Sequence, residues 1–222
     1  MNFGVFALYN DTALESALGV SLQLALSIPM VDLMAFPKLK KGYFSFIEIL
    51  FRNHMISVVK LDNGVFFQLI QSIHEGLNSY DLAIAAQCAA AVDHLASFYY
   101  EQQKKKDSPS KQMLMMHLAS QPSTFSTLLQ CLFNILIYGE ATSQWALSRP
   151  ILSLTLCSEE ALNAYKTTVA SSQSAENQTL VMEAFVKLFV DILPNLEPAN
   201  RDKFTQRLGQ FRTQLRGFVT MT

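Results

Sequence analysis

The residues best suited to chemistry in this chain are scattered. Its four histidines, His54, His74, His94 and His117, fall in separate segments. None makes a His-x-x-x-His spacing and no cysteines make Cys-x-x-Cys, so the ligand geometry of a metal ion has no support. Asp93-His94 lie side by side on one helical run and read as a solvated or capped pair, not as half of a catalytic set. There is no Gly-x-Ser-x-Gly, no Walker loop and no Gly-x-Gly-x-x-Gly. The 8 glycines are spread singly, which argues against a phosphate cradle. Catalysis needs convergent polar groups. The expectation is a protein that is not an enzyme and holds no cofactor or metal.

The three cysteines, Cys88, Cys131 and Cys157, are odd in number, far apart and each in an apolar helical run. They read as reduced core thiols of an intracellular protein. Net charge is −1, so no global field draws the chain to nucleic acid or to an acidic membrane surface.

Two local basic features remain as candidate protein contacts. Lys104, Lys105 and Lys106, with Lys111, could hold an acidic partner or serve as a localisation signal; the alternative is a solvated loop. Arg201, Arg207, Arg212 and Arg216 mark one side of the last helical segment and could meet an acidic cargo. Their alternative is the polar outer face that closes a repeat array. Neither feature has the interleaved aromatics of a single-strand nucleic-acid site.

The elements that must position these residues are all helical. Half of the 222 residues are apolar and 16% are charged, which suits a packed helical protein and argues against disorder. Thr12 and Glu15 form a capping box for a helix that runs to Pro29. Tyr43–Lys60 keeps a 3.6-residue apolar period with a break at Arg52-Asn53-His54. Asp62 or Asn63 caps the next helix, which Gly76 stops. Asp81–Gln103 is rich in alanine and reads as an inner helix flanked on both sides. Gln102–Lys111 is polar, contains Pro109 and maps to a surface loop. Ser158 and Ser174 cap two further helices, the second ending at Pro194. Phe204, Leu208, Phe211, Leu215 and Phe218 form one stripe on the last. Leu180–Leu193 is no membrane span, because Glu183, Lys187 and Asp191 interrupt it.

Gln144–Leu156, with the single tryptophan, reads as a tight corner between two helices. Ser148 caps a new helix there, with Arg149 and Pro150 in its first turn and Trp145 buried beneath. Short connections make antiparallel pairs. The expected architecture is an all-α superhelix, a HEAT/armadillo-like solenoid forming one domain over residues 1–222 with a polar loop at 102–111. A compact all-α bundle is the other arrangement these patterns allow.

Three stretches carry a family resemblance: Ser143-Gln-Trp-Ala-Leu-Ser-Arg-Pro-Ile-Leu-Ser-Leu, Asn2-Phe-Gly-Val-Phe-Ala-Leu-Tyr-Asn-Asp and Asn200-Arg-Asp-Lys-Phe-Thr-Gln-Arg-Leu-Gly-Gln-Phe-Arg. Leu26-Ser-Ile-Pro and Pro37-Lys-Leu fall in matching order between them. Together they resemble the C-terminal part of an export receptor of the importin-β (karyopherin-β) superfamily. The resemblance implies transport of protein cargo, binding of the small GTPase Ran in its GTP state, and contact with Phe-Gly nucleoporins. It implies residence in nucleus and cytoplasm and at the nuclear pore complex. In that family cargo and Ran lie along the concave inner face, nucleoporin repeats dock between outer helices, and the main Ran contacts come from N-terminal repeats that this chain does not match. The expectations are therefore a fragment, a separate short product or an incomplete gene model, without strong Ran-GTP capture of its own. Phe3, Val5, Phe6 and Leu8 are expected to cover an end that packs on an upstream repeat. The rival from another class is a helical scaffold outside transport, which need not bind Phe-Gly repeats.

Overall fold

The computed structural model describes residues 13–139 and 143–219, with side chains from Ser16 onward. The capping box at Thr12 and Glu15 and the apolar segment from Phe3 to Leu8 lie outside the described residues.

Among the described residues every regular element is an α-helix. They are α1 (Ala13–Leu26), α2 (Met30–Ala35), α3 (Pro37–Asn53), α4 (Met55–Val59), α5 (Asn63–Leu77) and α6 (Leu82–Lys104). There follow α7 (Pro109–Ser120), α8 (Thr124–Tyr138), α9 (Gln144–Cys157), α10 (Glu159–Ser171), α11 (Ala175–Leu188) and α12 (Pro198–Arg216). Short polar side chains set six of these starts. Asp62, Asp81, Ser108, Ser143, Ser158 and Ser174 each accept a hydrogen bond from a first-turn N–H. This satisfies donors that the helix itself leaves open. Pro37, Pro109 and Pro198 open α3, α7 and α12, where a missing N–H costs nothing.

The helices stack in chain order. One layer runs α3 on α6, α6 on α9 and α9 on α12. The second has α5 on α8, then α8 on α10 and α10 on α11. The pairs α5–α6, α8–α9 and α11–α12 join the layers, giving an all-α solenoid of antiparallel helix pairs. One contiguous apolar cluster runs from Leu22 to Leu215. Between α8, α10, α11 and α12 it is aromatic. Phe133 stacks on Tyr165 at 4.9 Å, and Phe185 meets Phe211 edge-on at 4.8 Å.

Helix α6 is the hub, touching α3, α4, α5, α7 and α9. Its length and apolarity would suffice to cross a membrane. Here its buried alanines Ala89, Ala91 and Ala96 let neighbouring helices approach instead. The closest approach is at Gly76. A Cβ there would stand 2.3 Å from Cys88 Sγ and 2.5 Å from Phe44 Cε1. Gly76 therefore does not stop α5, which runs to Leu77; it makes room for α3 and α6.

Other boundaries moved for local reasons. Helix α3 begins at Pro37, ahead of the apolar period, because proline is favourable at a first helical position. Helix α11 ends at Leu188, before Pro194. Asp191 then turns left-handed at φ 56°. Asn200 clamps the connection, binding the backbone N–H and C=O of Leu193 and the C=O of Asn195.

The corner at Ser148 is not a corner. Helix α9 begins a turn earlier, because the Ser143 hydroxyl caps Ala146 N–H, and it passes through Pro150. Nor does Trp145 fill space beneath: it is 59% exposed, with the Arg149 guanidinium 4.4 Å over its ring. Ser148 instead bonds sideways to Thr205 of α12 at 2.7 Å.

Candidate protein-contact surfaces

The lysines at 104–106 and 111 do come together. Lys104 is the last residue of α6, and residues 105–108 alone separate it from α7. The linker is thus tighter than its polar composition suggests: Gln102–Lys104 complete one helix and Pro109–Lys111 open the next. Lys104 Nζ sits 4.0 Å over the Tyr100 ring and 3.2 Å from Glu101. Lys111 Nζ donates to the Lys105 carbonyl at 3.3 Å. Lys105 and Lys106 are exposed. The result is a basic corner with two cations committed and two free in solvent.

Beside this corner lies a groove of about 570 Å³ between α6, α7, α8, the end of α9 and α10. Tyr99, Met115, Leu118, Phe125, Cys157 and Ala161 are among its walls. Gln103, next to Lys104, donates to Met115 Sδ at 3.4 Å and so joins corner to groove. The Cys157 thiol donates to the Ala96 carbonyl at 3.2 Å, and burial pushes its pKa up to about 12. It is a packing group, not a nucleophile.

The arginines of α12 are used quite differently from a free face. Arg201 reaches Asp93 of α6, with Nη1 3.0 Å from both carboxylate oxygens, and donates to Ser97 Oγ at 3.0 Å. The Asp93 carboxylate also accepts the Ser153 hydroxyl of α9. Arg212 donates to the Leu136 carbonyl at 3.0 Å, and Arg216 to that of Ile137 at 2.8 Å; both also reach the Gly139 carbonyl. These carbonyls belong to the C-terminus of α8, which lacks its own donors. Burial lowers the Arg212 pKa, and the neighbouring Arg216 adds to this. Arg207 is instead half-buried, 3.8 Å from an Asp191 carboxylate oxygen that Lys203 also approaches at 3.6 Å, whereas Arg216 stays exposed despite its ties to α8.

Sequence reasoning missed the partner of Arg201. The signal was available: Asp93 is the only acid in the first nineteen or so positions of an alanine-rich hub helix. A carboxylate buried among apolar neighbours requires a cation or several donors. It also missed His117, which is buried. Its ring stacks on Phe66 at 4.2 Å and its nitrogens lie 2.6 Å from Asn63 Oδ1 and 3.0 Å from the Val59 carbonyl. Among the described residues no group of three or more His, Cys, Asp and Glu is placed to hold a metal ion.

A stacked helical array with polar ties between successive layers has the makings of a binding ribbon, and relatives decide which kind. A family profile described as CRM1 C terminal matches residues 13–222. The chain belongs to the CRM1 C-terminal family. Exportin-7-B of Xenopus laevis is 35% identical to this family member over 97% of the chain and 20% of its own length. Exportin-7 of Dictyostelium discoideum is 29% identical over 97% of the chain and 21% of its own length. Ran-binding protein 17 of Homo sapiens is 27% identical over 96% of the chain and 20% of its own length. The chain spans about a fifth of the length of these relatives. No solved structure matches it. The superfamily resemblance carried by Ser143–Leu154 and Asn200–Arg212 is upheld by these exportin and Ran-binding relatives, so this CRM1 C-terminal chain is exportin-like.

Proposed function

We propose that the chain is the C-terminal, HEAT-like part of a nuclear export receptor, a single domain over residues 1–222 that binds protein cargo and transport partners. One observation carries the reading: 35% identity to an exportin is sustained over 97% of the chain. A match that runs nearly the whole length of the chain rests on more than one motif. The curved ribbon that helix stacking makes is suited to holding other proteins. On this reading the receptor moves between nucleus and cytoplasm through the nuclear pore complex. Phe-Gly nucleoporins are bound in passing. Ran in its GTP state is bound mainly by repeats outside the matched region. Lys104, Lys105, Lys106 and Lys111, with Arg207, are the basic positions left for an acidic protein surface. Arg201, Arg212 and Arg216 serve the array first.

Immobilised Phe-Gly repeat segments test the reading. They should retain the purified chain, and a full-length exportin should be retained beside it as control. No retention of the chain, with the control retained, would overturn the reading in favour of a helical scaffold outside transport. In the same assay Ran loaded with GTP should not be captured stoichiometrically by this chain alone.

A further inference from the structure

We propose that Ser108 is a phosphate-acceptor site for a proline-directed serine/threonine protein kinase, set in the lysine corner so that phosphorylation cancels its positive charge. This goes beyond the transport reading and does not depend on it.

The determinants begin in the sequence. Of the 7 prolines, only Pro109 follows a serine or threonine, so Ser108-Pro109 is the chain's single acceptor of this type. Lys111 stands at the third position after the acceptor, and Lys105 and Lys106 precede it. Each has a physical use. A kinase pocket that offers no acceptor for the backbone N–H of the next residue leaves that N–H unpaired in every residue but proline. A following lysine pairs with acidic groups at the rim of such a cleft.

The fold then makes the segment available. Kinase clefts take their substrates extended, and the backbone here already is: ψ is 160° at Lys105, and Ser108 has φ −142° and ψ 153°. Lys106, Asp107 and Pro109 are exposed. Ser108 is partly covered: its hydroxyl donates to Gln102 Oε1 at 3.3 Å and caps Lys111 N–H at 3.2 Å, and its carbonyl accepts Gln112 N–H at 3.0 Å. The first buried residue of α7 is Leu114, beyond that turn. The turn can therefore open without exposing core, as helix ends do.

The step itself is ordinary phosphoryl transfer. Ser108 Oγ attacks the γ-phosphorus of Mg-ATP, and a new O–P bond forms. The bond to ADP breaks, and ADP leaves with its electron pair. The hydroxyl proton passes to the kinase's catalytic aspartate. The product carries roughly −1.5 to −2 charges near neutral pH. Between Glu101 and Lys111 the cations are Lys104, Lys105, Lys106 and Lys111 and the acids are Glu101 and Asp107. One phosphate thus cancels the excess. Held at the start of α7 beside Lys105 and Lys111, it also withdraws those cations from any acidic partner.

The purified full chain, incubated with a cyclin-dependent-type kinase and Mg-ATP, should gain one phosphate, located on Ser108 by peptide mass spectrometry. Ser108→Ala should take up none, and Ser108→Thr should still be modified. Pro109→Ala should slow the initial rate by about tenfold or more. A synthetic peptide of residues 102–112 serves as reference. Modification of the peptide without the folded chain would overturn the proposal on access. Modification of neither would overturn it on recognition, and phosphate at another residue would overturn the assignment. The modified chain should also bind a cation-exchange resin more weakly than the untreated one.

Discussion

Arg201 holds Asp93 across 108 positions of chain, with Nη1 3.0 Å from each carboxylate oxygen. The side chains are only 11% and 14% exposed. Because Ser153 of α9 also donates to Asp93, one carboxylate ties α6, α9 and α12 together. The pair thus ties three successive helices of one layer by polar contacts added to their apolar packing.

Breaking this tie from one side strands a charge in poor solvent. Asp93→Ala or Arg201→Ala should each lower stability by about 3–5 kcal/mol. The double variant Asp93→Leu, Arg201→Met should lose less than either single one, since no unpaired charge remains. Urea unfolding of all four proteins checks this. Additive losses would show that the pair is not coupled.

Gly76 is a contact surface and not a helix stop. Gly76→Ala places a methyl group 2.3 Å from Cys88 Sγ, closer than the atoms can approach, and should cost about 1–3 kcal/mol. Adding Cys88→Ala removes the nearer obstacle and should recover part of the loss, leaving the clash with Phe44. Thermal melts of the single and double variants decide it; a neutral Gly76→Ala would show that α3 and α6 stand further apart.

Trp145 is the only tryptophan and lies under Arg149 at the surface. Native fluorescence should be emitted at the wavelength of a water-exposed indole, and acrylamide should quench it readily. Trp145→Ala should change stability by no more than about 0.5 kcal/mol. A blue-shifted, unquenched emission would return it to the interior.

The three thiols set an alkaline limit. Burial raises Cys131 to about 11 and Cys157 to about 12, and Cys88 higher still, from an ordinary value of 9.0. In the unfolded chain the thiols ionise near that ordinary value, while in the folded chain they stay protonated. Their contribution is therefore whole below pH 9.0 and is lost as pH rises towards the folded values. Melting temperature should fall progressively above pH 9, and Cys157→Ala should flatten the decline. At about pH 8 iodoacetamide should label the native chain far more slowly than the unfolded one. Equal labelling rates would remove the buried-thiol account.

The elements were legible wherever their cause is local. Asp62, Ser158 and Ser174 cap helices through N–H groups within three residues, so the side chain and its partner sit in the same short stretch. The break at His54 and the alanines of the hub helix are legible for the same reason. The Ser143–Pro150 stretch misled because two serines can each cap a helix. Pro150 fits a first turn by its chemistry, yet it is accommodated inside one.

By itself the sequence determined an all-helical chain, its order of elements, its exportin-like kinship and the lysine corner, whose members lie within eight positions of each other. Only the tertiary structure decided which cations are free. Arg201, Arg212 and Arg216 look as exposed in sequence as Arg207, but their partners Asp93, Leu136 and Ile137 are more than seventy residues away. Such pairings exist only once the layers are stacked, because stacking brings a lone carboxylate and the bare carbonyls of a helix end within reach of the last helix.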